Sequence, residues 1–156
     1  MFHSILVAVD GSPASARALE QAIELASDNG ARLTLITVAA PPRFRIATGP
    51  FMVPYTTDAE LDVCARRIVA EAEALVPDGI PVSAVVRTGD AATAIVQRVV
   101  DGEHDLVVMG SHGRRPASSL LLGSVSAAVV ARSPVPVLIV RDHGRIRSGD
   151  ALHVSA

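Results

Sequence analysis

Five short apolar runs alternate with four stretches of helical spacing, and that alternation leaves few folds open. His3 to Val9, Arg32 to Ala39, Pro81 to Arg87, Asp105 to Met109 and Val135 to Arg141 are the runs. They are rich in Val, Ile and Leu, which suits strands covered on both faces. Ser12-Pro13 opens the first helix, Ser being a favoured N-cap and Pro a favoured first residue. Ala14, Ala18, Leu19, Ala22, Ile23 and Ala26 form its apolar face, and Asn29-Gly30 ends it. Thr57-Asp58-Ala59-Glu60 has the spacing of a capping box, and Leu61, Cys64, Ala65, Ile68, Val69, Ala72 and Leu75 continue as one stripe. Asp90 caps a third helix that reaches about Val100. The fourth helix resumes either near Ser118 or after Gly123. Strands and helices in this alternation require right-handed crossovers and a parallel sheet.

The remaining sequence narrows the class. With 156 residues, one domain is expected, over residues 1–141. Residues 40–57 hold four prolines and no period, which reads as a long loop. The polar stretch 142–156 reads as a flexible C-terminal tail. There is no internal repeat. Apolar residues make up 49% of the chain, and the mean hydropathy is +0.39, yet no apolar run reaches the ~18 residues of a membrane span. The first residues have neither a basic region nor an apolar signal core, so a cytoplasmic location is expected, away from any membrane. A net charge of −2 and only three Phe, one Tyr and no Trp argue against a nucleic-acid partner. Cys64 is the sole cysteine, which excludes an internal disulfide and a thiolate metal site; on its stripe it reads as a small buried apolar group. All 14 basic residues are Arg, so no mechanism that needs a lysine is open.

In open parallel sheets ligands bind beyond the carboxyl ends of the strands. The segments to inspect are therefore Asp10-Gly11-Ser12, Val38-Ala39, Thr88-Gly89 and Gly110-Ser111-His112-Gly113. The last begins "GSHGRRPASSLLLGS", Gly110 to Ser124. Two readings compete for its glycines: an ordinary tight turn, or a loop whose backbone takes φ > 0 and approaches an anion closely. A helix starting at Gly123-Ser124 would add unpaired N–H groups and a positive dipole end. Ser124 either caps that helix or donates its hydroxyl to a phosphate. Arg114 and Arg115 either add charge beside the loop or form a solvated pair. The Walker lysine motif, a G-x-G-x-x-G after the first strand and a G-x-S-x-G elbow are all absent.

Gly110-x-x-Gly113, nine residues, then Gly123-Ser124 resembles the G-2x-G-9x-G-(S/T) nucleotide motif of the universal stress protein family. "ILVAVDGSPAS", "DLVVMGSHGR" and "LLLGSVSAAVVARSPVPVLIV" extend the resemblance over residues 2 to 141. The resemblance implies an adenine nucleotide alpha-hydrolase-like fold: a doubly wound five-stranded parallel sheet of order 3-2-1-4-5. It implies ATP as ligand, and a homodimer along the fifth strand. It places Asp10 near ribose and a Mg²⁺ ion, with Ala8 and Val9 beside it. Val38 and Ala39 would meet adenine. Gly110, Ser111, His112, Gly113 and Arg114, with Gly123, Ser124 and Val125, would meet the phosphates.

Plainer roles stand beside these. Asp10 can close an Asx turn or help cap the first helix. Val38 and Ala39 suit any strand end, and Ser12 and Ser15 suit a helix start. His112 reads as a ligand contact or an exposed loop residue rather than a catalyst. The expected function is an ATP-binding stress-response module. The alternatives are a slow ATPase or phosphotransferase, for which Asp10, Arg114 and Mg²⁺ offer no obvious base, and a nucleotide-free dimer. The dimer expectation has a physical ground as well: Val135 to Val140 is too apolar for a bare edge strand.

Overall fold

The computed structural model describes residues 1–39, 57–113 and 122–141. Of the loop read over residues 40–57, all but Thr57, the N-cap of the second helix, lies outside the described residues, as do the tail from 142 and Arg114 and Arg115. The order is β1 (Ser4–Ala8), α1 (Pro13–Asn29), β2 (Arg32–Ala39), α2 (Asp58–Glu73), β3 (Val82–Thr88), α3 (Ala91–Asp101), β4 (Leu106–Gly110), α4 (Ser124–Arg132) and β5 (Val137–Val140). The five strands form one parallel sheet in the order β3-β2-β1-β4-β5, as the resemblance implied.

Successive strand residues face opposite sides, and this divides the core. Ile5, Val7, Val9, Leu33, Leu35, Leu106 and Val108 pack under α1 and α2 with Ala18, Leu19, Ala22, Ile68 and Val69. Leu6, Ile36, Val107 and Met109 pack on the other face against Ala92, Ile95 and Val99 of α3 and Val129 of α4. β1 and β4 are buried on both faces, hence their unbroken apolar sequences.

The helix ends follow from their caps. Ser12 caps α1 by accepting from Ser15 N at 3.2 Å, and Gly30 closes it in the left-handed conformation at φ 65. Thr57 and Glu60 form the full capping box of α2, and Asp90 caps α3 through Thr93 N at 3.0 Å. Three expectations change. Leu75 falls beyond α2 and is 66% exposed, because the helix stops at Glu73 and its stripe with it. β5 starts at Val137 rather than Val135, since Pro134 and Pro136 cannot donate to a ladder. Cys64 is half-buried against the core rather than fully enclosed.

A polar network closes the amino ends of the strands. The Asp105 carboxylate accepts from His3 N at 2.7 Å and Ser4 N at 3.1 Å. Arg32 Nε donates to Ser4 Oγ at 3.0 Å, and Ser4 Oγ lies 2.8 Å from His104 Nδ1. His104 is only 4% exposed. Burial, then the positive charges of Arg98 and Arg32, push its pKa down from 6.5 to about 4.

Candidate functional site

The sheet order reverses between β1 and β4, so the carboxyl ends of these two neighbours flank the crevice that such folds use for ligands. Beyond β1, Val9 N donates to Ile36 O at 2.9 Å, and Thr37 Oγ1 donates to Val9 O at 2.9 Å. The chain then turns. Asp10 Oδ1 accepts from Ser12 N at 2.9 Å, closing an Asx turn over Gly11, whose φ is 78. Ser15 Oγ accepts from Asp10 N at 3.3 Å and donates to Ser12 O at 3.0 Å. The Asx turn is thus real, and it fixes Asp10 at the amino end of α1.

Beyond β4, Ser111 N donates to Val140 O at 2.8 Å, which ties the loop to β5. Ser111 is buried, His112 half-buried and Gly113 exposed. Ser111 Oγ lies 3.1 Å from His112 Nδ1. The other ring nitrogen, Nε2, is buried without a hydrogen-bond partner among the described residues. A polar atom left so carries a desolvation penalty that a ligand can relieve.

The motif glycines are not set by positive φ. Positive φ occurs at Gly11, Gly30, Gly79 and Gly89 among the described glycines, and at none of the three motif positions. Packing decides instead. A Cβ on Gly110 would lie 2.9 Å from the Ala14 carbonyl carbon and Cβ, so β4 abuts the first turn of α1. A Cβ on Gly113 would lie 2.7 Å from Asp10 Oδ2. The loop after β4 therefore rests directly against the carboxylate after β1. A Cβ on Gly123 would lie 3.3 Å from Ser111 O and 3.5 Å from His112 Cα.

Gly123 is the N-cap of α4, at φ −61 and ψ 156, and its N–H donates to Ser111 O at 2.8 Å. Ser124 is the first helical residue, exposed, and does not cap α4; among the described residues no side chain does. The first-turn N–H groups of a helix have no partner within it, and such an end is a place where an anion can bind. Val125, next along, is half-buried. Ala8 is the last residue of β1, half-buried, and Val9 is buried. Val38 and Ala39 close β2; the Ala39 carbonyl is taken by Gly89 N at 3.2 Å, and Val38 lends its side chain to the α3–α4 face of the core. Asp10, Ser111, His112, Gly113 and Gly123 are thus linked by contact, and Arg114 lies outside the described residues.

Sequence reasoning missed Ser126. Its single hydroxyl proton faces Ser111 O, 2.9 Å from Oγ, with Gly110 O a second acceptor at 3.3 Å. The available signal was a polar residue on the stripe that Val129 continues on α4. Among the described residues, no three His, Cys, Asp or Glu side chains gather as a metal site. Asp10 alone is the expected Mg²⁺ contact, which fits an ion bound largely by phosphates and water.

Comparison with known proteins places this arrangement. The model of the universal stress protein family matches residues 1–141. A universal stress protein of Thermus aquaticus is 37% identical over 142 residues, covering 90% of this chain and 100% of that protein. One from Mycobacterium tuberculosis is 36% identical over 137 residues, 88% of this chain, which spans only 45% of that protein. A universal stress protein crystallised in complex with cAMP is 28% identical, with a TM-score of 0.61 over 89% of this chain and 96% of its own.

Proposed function

The chain belongs to the universal stress protein family, and from that premise we propose that it binds ATP between the loop after β4 and the start of α4. The observation that carries the reading is the uncapped amino end of α4, held against Ser111 while Gly113 sits on the Asp10 carboxylate. The cradle offers backbone N–H groups and the orphaned His112 Nε2 to an anion. Asp10 serves ribose or a Mg²⁺ ion, and Ala8, Val9, Val38 and Ala39 line the nucleoside side. The related protein in complex with cAMP supports adenine as the base.

ATP acts in this reading as a regulatory ligand of a cytoplasmic homodimer, paired through β5. Support for the pairing comes from β5 lying at the sheet edge with Leu138 37% exposed. Calorimetric titration of the purified protein with ATP and Mg²⁺ tests the ligand, and mass spectrometry of gently purified protein identifies what it carries. Saturable one-to-one binding is expected. No heat and no co-purified nucleotide would remove the reading in favour of a structural glycine loop. ADP as the sole bound species would favour hydrolysis.

A further inference from the structure

Resting on the phosphate-cradle reading above, we infer that Ser126 is a positioning residue for the nucleotide, acting through Ser111 and Gly110 rather than by touching the ligand. Its side chain is 3% exposed, on the third residue of α4. A serine there usually bonds locally, within its own helix start. This one reaches outward to the end of β4, to Ser111 O at 2.9 Å and Gly110 O at 3.3 Å. Ser111 O receives a second donor from α4, Gly123 N at 2.8 Å. One carbonyl thus takes both a backbone and a side-chain proton from the first turn of the helix. The two halves of the cradle are joined at this point independently of residues 114–121.

The join matters because α4 has no side-chain cap. In an ordinary helix the N-cap hydroxyl or carboxylate both stabilises the first turn and occupies its N–H groups. A glycine at the cap leaves those groups open to a ligand and gives up the anchor. The Ser126 hydroxyl restores the anchor from behind, without occupying the donors. Donors aimed at a charge act through geometry held in advance, and small displacements cost much of their effect. Loss of this hydroxyl frees the helix start to shift relative to the loop, and the interaction lost is the one with phosphate.

The test compares ATP with adenosine on wild type, Ser126→Ala, Ser126→Cys and Ser126→Thr, with ATP by calorimetry and adenosine by competition. Ser126→Ala should weaken ATP about tenfold, about the worth of one net hydrogen bond, and leave adenosine within about twofold. Ser126→Thr keeps the hydroxyl and should restore ATP affinity. If Ser126→Ala fails to fold, Ser126→Cys keeps the volume with only a weak donor and should show the same selective loss. ATP affinity unchanged in the folded Ala or Cys variant overturns the inference, as does an equal loss of ATP and adenosine. Wild type that binds neither ligand refutes the cradle reading itself.

Discussion

Gly113→Ala adds one carbon where the site has no room for it. The new Cβ would stand 2.7 Å from Asp10 Oδ2, well inside the 3.4 Å at which ordinary contact begins. Backbone strain is not the issue, because Gly113 is not in the left-handed region. Either the carboxylate turns or the loop retreats. The carboxylate is restrained, since its other oxygen accepts from Ser12 N at 2.9 Å. A hydrogen bond to a charged group is worth about 1.5–3 kcal/mol, and its full loss bounds the cost from above. At roughly 2–4 °C per kcal/mol for a chain of this size, about 1.5 kcal/mol lowers Tm by roughly 3–6 °C. A loop that retreats instead leaves Tm nearer wild type and takes its N–H groups from the phosphates, so ATP binding falls about tenfold or more. Thermal melts and titrations of Gly113→Ala, Asp10→Ala and the double variant separate the cases. In the Asp10→Ala background the added methyl meets no other described residue and should cost little. An equal stability and affinity penalty in both backgrounds, with no coupling between the two positions, would refute the reasoning.

Gly123→Val should abolish ATP binding while the unliganded protein keeps a circular dichroism spectrum close to wild type, because the branched side chain presses on Ser111 O and His112 at the mouth of the cradle; Ser124→Ala should change affinity far less, since Ser124 caps nothing. Leu138→Asp should give monomers by light scattering at micromolar concentration, and a wild type already monomeric there would refute pairing through β5. Leu138 is the position to alter, because Val140 packs against the core and its replacement would damage the fold. His104 titrates near 6.5 when unfolded and near 4 when folded. The unfolded chain therefore takes up the proton first, so this contribution to stability is complete above pH 6.5 and is lost as pH falls from 6.5 towards 4. Chemical denaturation at pH 7 and pH 5 should show that loss in wild type and a smaller one in His104→Asn; equal losses would refute the assignment.

The architecture was legible because its punctuation is local. Ser12-Pro13, Asn29-Gly30, the Thr57–Glu60 box and Asp90 mark helix ends by hydrogen bonds that span a few residues. The strand order came from family resemblance, since spacing alone gives parallel strands without their sequence across the sheet. The motif drew attention to the loop after β4 through glycine conformation, whereas packing is what the structure shows at those glycines. Gly110 must be glycine because of Ala14, and a side chain at Gly113 would press on Asp10, partners on the other half of the chain that no local pattern reveals. Ser126 was missed for the same reason, as was the join of Ser4 and Arg32 to His104. Leu75 misled because helical spacing continues in the sequence after the helix itself has stopped.

The contact between Gly113 and Asp10 also bears on how the protein is made. The two residues meet only after β1 and β4 have paired, which closes a loop of most of the chain, and distant pairings of this kind are completed slowly. A peptide carrying the glycine loop and α4 alone would lack the wall that Asp10 and α1 provide. The cradle is therefore a property of the finished sheet. A ligand that recognises it binds only folded chains and draws the population towards them by mass action, so occupancy of the site doubles as a check that both halves of the fold have come together.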